Sequence, residues 1–316
     1  MANYTKPTFS ELKMLLSNYD TGKVEKAAPL EGGQANTSIK ITSEKGIFVL
    51  SICDEKDPGD IRNLTEILLL LERQQFQTTR LVVTKKGENF ILHGAVPVYM
   101  KEFLPGQTVQ NLSTDMLGQV GSAMASLHRF KQIKSIQDSF PNGLEAFAVL
   151  LKEGLNHPYL DWLTRKKEFL HKSINVGMPK GFIHGDIFWD NLLFDSGSLV
   201  AILDFEEACY FYKLFDLGMA AVGCCSKNGR FNIPSIRSLL SGYTQISPLT
   251  IQEREQLTIF IEYAAVSASF WRFRQYNIRR LSPTKKRKLH RTDLSCRSDS
   301  RSQRGINLLA TPPQRV

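Results

Sequence analysis

Gly181-Phe182-Ile183-His184-Gly185-Asp186-Ile187-Phe188-Trp189-Asp190-Asn191-Leu192-Leu193-Phe194-Asp195 decides how the rest of the chain is read. Apolar runs on both sides fix a short loop that holds His, Asp, Asp and Asn. Thirteen residues after Asn191, the run Val200-Ala201-Ile202-Leu203 ends in Asp204, followed by Phe205 and Glu206. Phosphoryl transfer asks little of a protein: one carboxylate to accept or orient the attacking hydroxyl, and oxygen ligands to hold magnesium against the phosphates. An Asp and an Asn five positions apart on one loop, with a second Asp ending a paired strand, supply that set.

The spacing matches the protein-kinase catalytic loop H-R-D-x-x-x-x-N with its later D-F-G, but two residues differ. Gly185 stands where that loop has Arg, and Glu206 where the later motif has Gly. Without the Arg, nothing reads a phosphorylated activation loop, and only nine residues separate Phe205 from Phe215. Both differences favour a small-molecule acceptor over a protein.

Outward from this core, the chain is segregated. Before Phe103 it reads as strands: around Val24, Ser38 to Thr42, Ile47 to Ile52, Leu81 to Thr84, Phe90 to Leu92 and Val96 to Phe103. Helices at Phe9 to Asn18 and Asp60 to Gln75 interrupt them. After Leu104-Pro105-Gly106 the spacing is helical over Asp115 to Phe130, Leu144 to Leu155, Leu160 to Ile174, Leu214 to Cys224, Ile233 to Tyr243 and Ile251 to Phe273. Strands first and helices after argue an α+β fold. It divides into a nucleotide-binding lobe over 1–102, a helical catalytic lobe over 103–280 and a basic, disordered tail over 281–316.

The formal charge of +9 lies in that tail and the two arginines just before it. From Arg279 to Val316 eleven Lys and Arg stand against Asp293 and Asp299, so the remaining residues are neutral. A neutral body argues against nucleic acid as the main partner. No apolar run reaches the ~20 residues a bilayer span needs, and the N-terminus lacks a signal pattern. Five cysteines without a CxxC pair read as reduced thiols of a cytoplasmic protein.

On His184-Gly185-Asp186-x-x-x-x-Asn191 and Asp204-Phe205-Glu206, the chain resembles the aminoglycoside phosphotransferase and choline kinase superfamily. That resemblance implies a two-lobed protein-kinase-like fold of the aminoglycoside phosphotransferase type. More loosely, it is similar to the bacterial homoserine kinases of the kinase-like type. The likeness rests on the central segment, Leu203-Asp204-Phe205-Glu206-Glu207-Ala208-Cys209, Phe215-Asp216-Leu217, Phe103-Leu104-Pro105-Gly106 and Phe270-Trp271-Arg272-Phe273-Arg274.

The resemblance implies ATP and Mg2+ as cofactors, Asp186 as the catalytic carboxylate and His184 as its brace, with Asn191 and Asp204 as metal ligands. It places Gly32, Gly33, Asn36 and Thr37 in the loop over the ATP phosphates, and backbone of the Val98 to Phe103 strand, at Met100 and Glu102, against adenine. It also implies that Asp216 anchors the catalytic loop and that His128 packs behind it. Where the superfamily's third strand offers a Lys or Arg to the phosphates, this chain presents Ser51, and kinase-like homoserine kinases are similar in often lacking that lysine.

The acceptor implied is L-homoserine. Choline, ethanolamine, hydroxylysine, an aminoglycoside or a sugar remain alternatives, as does an inactive kinase fold that binds through its basic tail. Asp190 either joins the acceptor site or caps a turn. Arg272 and Arg274 either face water or recognise a substrate carboxylate.

Overall fold

The strand-rich and helix-rich parts keep the order expected of them. The computed structural model describes residues 5–30, 36–131, 136–227 and 229–279, so Gly32, Gly33 and the basic tail lie outside it. The described chain falls into two units.

The first unit runs to Gln107 and adds Val200–Glu206. Helix α1 (Phe9–Leu16) opens on a capping box in which Thr8 accepts from the Glu11 N–H and Glu11 accepts from that of Thr8. Strands β1 (Val24–Pro29), β2 (Thr37–Ser43) and β3 (Gly46–Ile52) follow, then helix α2 (Pro58–Arg73), capped by Asp57 with Pro58 in its first turn. Strands β4 (Leu81–Val82), β5 (Ile91–His93) and β6 (Val96–Glu102) complete the set. They form an antiparallel sheet in the order β1-β2-β3-β6-β4, with β5 on β6. Alternation sets its inner face: Ile39, Ile41, Leu50, Ile52, Val98 and Met100 close on Leu15, Leu16 and Tyr19.

The sequence boundary at 102/103 did not anticipate that Val200–Glu206 joins this unit. The joining is physical. Ile202 donates its N–H to the Gln77 carbonyl at 3.0 Å, and Phe205 stands edge-on to Phe76 with centroids 6.0 Å apart.

The second unit begins in β7 (Gln107–Thr108), whose first residue still belongs to the first unit. It continues with helices α3 (Thr114–Leu127), α4 (Leu144–Leu151) and α5 (Pro158–Ser173), then strands β8 (Lys180–Ile183) and β9 (Leu192–Asp195). A turn at Ser196 and Gly197, both at positive φ, leads into β10 (Ser198–Ile202). Strand β11 (Cys209–Tyr212), absent from the sequence reading, pairs antiparallel with β8. Its four residues, Cys-Tyr-Phe-Tyr, are too few to show a period. Helix α6 (Lys213–Cys224), the short hairpin β12 (Ser226–Lys227) and β13 (Arg230–Phe231), and helices α7 (Ile233–Ile246) and α8 (Ile251–Phe273) finish the unit. A π-helical turn over Arg274–Arg279 extends α8.

Helices α3 and α7 meet backbone to backbone. A Cβ on Gly121 would lie 2.0 Å from the Leu239 carbonyl oxygen, and one on Gly242 would lie 1.9 Å from that of Gly118. Ser122 Oγ joins the same crossing, donating to the Gly118 or the Gly242 carbonyl, each 3.1 Å away.

Candidate active site

In the second unit, β8 delivers the catalytic loop. Gly185 takes φ +82°, a region that favours glycine, and a Cβ there would meet the Glu207 carbonyl oxygen at 2.7 Å. This accounts for Gly where protein kinases carry Arg. A short 3-10 turn over Trp189–Asn191 follows.

Asn191 folds back on Asp186. Its Nδ2 donates to the Asp186 carbonyl at 2.9 Å and to Asp186 Oδ2 at 3.1 Å. Both amide hydrogens are committed to one residue, and the Asn191 Oδ1 is the hard oxygen that the side chain has to offer a cation. Asp186 is half-buried and Asp190 is exposed.

The loop is braced from behind by buried polar groups. His184 is fully buried, and its Nδ1 accepts the Asp186 N–H at 3.1 Å. Asp216, on α6 and also fully buried, accepts the His184 N–H at 3.0 Å and the Gly185 N–H at 2.8 Å. His128 Nε2 lies 2.9 Å from Asp216 Oδ2, and its Nδ1 lies 2.9 Å from the Tyr243 hydroxyl. The carboxylate accepts only, so the hydrogen sits on Nε2 and Nδ1 takes the phenol's proton in a hydrogen bond. Burial opposes ionisation of Asp216. The His128 hydrogen bond, the electrostatic pull of the His128 and His184 rings and the Gly185 amide outweigh it and hold the carboxyl below its ordinary range.

Gly223 of α6 lets the loop rest on the helix, since a Cβ there would fall 2.4 Å from the Ile187 carbonyl oxygen. Arg272 stacks its guanidinium over the loop's Phe188 ring, 5.9 Å from the centroid. Arg274 is placed differently. Its Nη1 donates to Asn142 Oδ1 at 3.3 Å, Asn142 Nδ2 donates to Glu207 Oε2 at 3.1 Å, and its guanidinium lies over Phe270 at 5.5 Å.

In the first unit, Asp204 ends the β10 run at φ +64°, a left-handed conformation that a non-glycine residue adopts at a cost. Two residues on, Glu206 accepts from Asn36 Nδ2 at 2.6 Å and pairs with Lys56 Nζ at 3.3 Å. Burial, then the charge of Asp204, pushes the Glu206 carboxyl up, against the pull of Lys56, Asn36 and Lys101. Thr37 opens β2 opposite Ile52. The Asn36 Oδ1 is buried without a hydrogen-bond partner among the described residues. Met100 is a core side chain between Leu50 and Val82. Glu102 has spent its N–H on the Arg80 carbonyl at 2.9 Å, and its carbonyl accepts from Thr79 Oγ1 at 2.6 Å. That amide is therefore committed within the unit rather than to a base.

Among the described residues, no three His, Cys, Asp or Glu side chains gather as a metal cage. An amide oxygen and a carboxylate suit a hard cation that takes its other ligands from phosphate and water. Lys56, Asn142 and Glu207 were not singled out as site residues from sequence. Only Glu207, inside the quoted Asp204 motif, carried a local signal.

The chain belongs to the phosphotransferase enzyme family, whose model matches residues 26–249. Among curated relatives, a homoserine kinase of Phenylobacterium zucineum is 27% identical over 280 residues, covering 84% of this chain and 85% of that protein. A homoserine kinase of Methylobacillus flagellatus is 24% identical over 280 residues, covering 86% of each. Among solved structures, an amicoumacin kinase in complex with AMP-PNP and Ca2+ superposes with a TM-score of 0.71 at 16% identity, covering 90% of this chain and 92% of that one. A Plasmodium vivax ethanolamine kinase superposes at 0.62 and 14% identity, covering 89% and 83%. The fold is the protein-kinase-like fold of the aminoglycoside phosphotransferases, and the protein is a small-molecule phosphotransferase.

Proposed function

We propose that this phosphotransferase moves the γ-phosphoryl group of ATP to the side-chain hydroxyl of L-homoserine, giving O-phospho-L-homoserine. The observation that carries this reading is the Asp186–Asn191 pair on a loop fastened by Asp216. It holds a carboxylate for an incoming hydroxyl and an amide oxygen for a cation on one rigid element.

Asp186 orients the acceptor hydroxyl and takes up its proton as the O–P bond forms. His184 and Asp216 keep the loop from relaxing away. Asn191 and Asp204 are the residues that would serve as Mg2+ ligands, and the ion would supply charge neutralisation at the phosphates. Asn36 and Thr37 meet the phosphates, and backbone near Met100 and Glu102 meets adenine. For Glu102 only the carbonyl has hydrogen-bonding capacity left.

The acceptor assignment is supported by the homoserine kinases among the curated relatives and by Arg272. A guanidinium on an aromatic face of the catalytic loop suits an amino-acid carboxylate. Asp190, exposed on the same loop, would meet the substrate ammonium. No helix of the described residues is long and apolar enough to cross a membrane. The described cysteines are free thiols, which fits the cytoplasm.

The test is mutational. Asp186→Ala and Asp204→Ala each abolish turnover of L-homoserine while the circular dichroism spectrum and Tm stay near wild type. Near-wild-type rates in either variant overturn that residue's role.

A further inference from the structure

In protein kinases a lysine on the third strand serves the ATP phosphates. Here that strand offers Ser51, which is 1% exposed and stands opposite Tyr99 on β6. A neutral hydroxyl brings no positive charge to a polyanion, so the cation has to come from elsewhere in this unit.

One lysine is placed for it. Lys56 lies four residues past the end of β3, in a turn closed by its own N–H donating to the Cys53 carbonyl at 3.3 Å. Its ammonium is 3.3 Å from Glu206 Oε2, and the two side chains are only 22% and 16% exposed. Removing a lysine head from water to this degree costs free energy that a surface pair does not return. A half-buried pair two residues from Asp204 therefore calls for a reason other than stability. The other Glu206 oxygen takes Asn36 Nδ2, and the buried Asn36 Oδ1 beside it has no hydrogen-bond partner among the described residues. That oxygen is an acceptor and calls for a donor or a cation, so what points to an anionic ligand here is the part-buried ammonium itself. An ammonium has three hydrogens, so keeping Glu206 does not prevent donation to an oxyanion. Lys101, the other cation of the region, sits over the Tyr99 ring at 5.7 Å.

We propose that Lys56, held by Glu206, is the phosphate-binding cation of this enzyme, taking the role that Ser51 has vacated. This rests on the reading of the protein as an ATP-dependent kinase.

The experiment is calorimetric titration of the full-length protein with ATP and, separately, with adenosine, in the presence of Mg2+. In Lys56→Met, ATP affinity falls about 10- to 100-fold, the worth of one charged hydrogen bond. Adenosine, having no phosphates, keeps its wild-type affinity. Lys56→Arg recovers most of the loss, and Lys101→Met loses less than Lys56→Met. Unchanged ATP affinity in Lys56→Met overturns the assignment. So does an equal loss of ATP and adenosine, which marks a structural role, or a larger loss in Lys101→Met. If the wild-type protein binds no ATP, the kinase reading itself falls and this proposal with it.

Discussion

His128 Nε2 and Asp216 Oδ2 lie 2.9 Å apart with both side chains wholly buried. That carboxylate also accepts the N–H groups of His184 and Gly185, so one buried charge joins α3, α6 and the catalytic loop. Asp216→Ala leaves two amides and an imidazole without their acceptor. Breaking a buried charged network of this kind costs about 3–5 kcal/mol. Urea unfolding should show that loss. The folded fraction should also turn over about 100-fold more slowly, because a loop displaced by an ångström loses its aim. A variant with full activity per folded molecule would mean that the loop holds itself.

The same residue gives the protein an acid limit. The Asp216 carboxyl is held below the ordinary aspartate range in the folded protein. The unfolded chain therefore takes up a proton first as pH falls. The stabilisation is fully present above about pH 4 and is lost as pH drops through the lower folded value. Unfolding free energies measured from pH 6 to 3 should fall at the acid end, and Asp216→Asn should flatten that fall. An unchanged slope in the variant would assign the acid sensitivity to other carboxylates.

The glycine crossing of α3 and α7 predicts a stability effect without a chemical one. Gly242→Ala places a methyl group against the Gly118 carbonyl. Pushing the helices apart costs about 1–3 kcal/mol or more, above the ~1 kcal/mol that alanine adds to a helix. Thermal melts should show a lower Tm, with KM values for both substrates near wild type. A raised Tm would show that the helices separate freely.

Arg272 should act on the acceptor alone. Arg272→Ala should raise the KM for L-homoserine about 10- to 100-fold, as expected for one charged hydrogen bond, and leave the KM for ATP within twofold. Arg272→Lys should recover little, since an ammonium neither stacks on Phe188 nor bonds bidentately. Steady-state kinetics with each substrate varied separately decide this. An equal rise in both KM values would point to a general disturbance of the loop.

The parts of this site that sequence showed are those written in short spacings. Asp186 to Asn191 is one loop, and Asp204 ends one apolar run. The parts it hid depend on residues far apart in the chain. Lys56 and Glu206 are 150 positions apart, and no local pattern marks either as a partner. Gly223 looks like any helix glycine until the Ile187 carbonyl is seen where its side chain would be. That the Glu102 N–H goes to the Arg80 carbonyl is likewise hidden, because Arg80 sits in a connection without periodicity. Arg272 and Arg274 looked equivalent in sequence and are separated only by what each touches.

The acceptor is the central claim, and ADP release from Mg2+-ATP tests it most directly. The assay should include L-homoserine, choline, hydroxylysine and kanamycin, with Asp186→Ala as the blank. Turnover selective for L-homoserine, absent in the blank, is the predicted result. Faster turnover of any other acceptor, or none with L-homoserine, would contradict it.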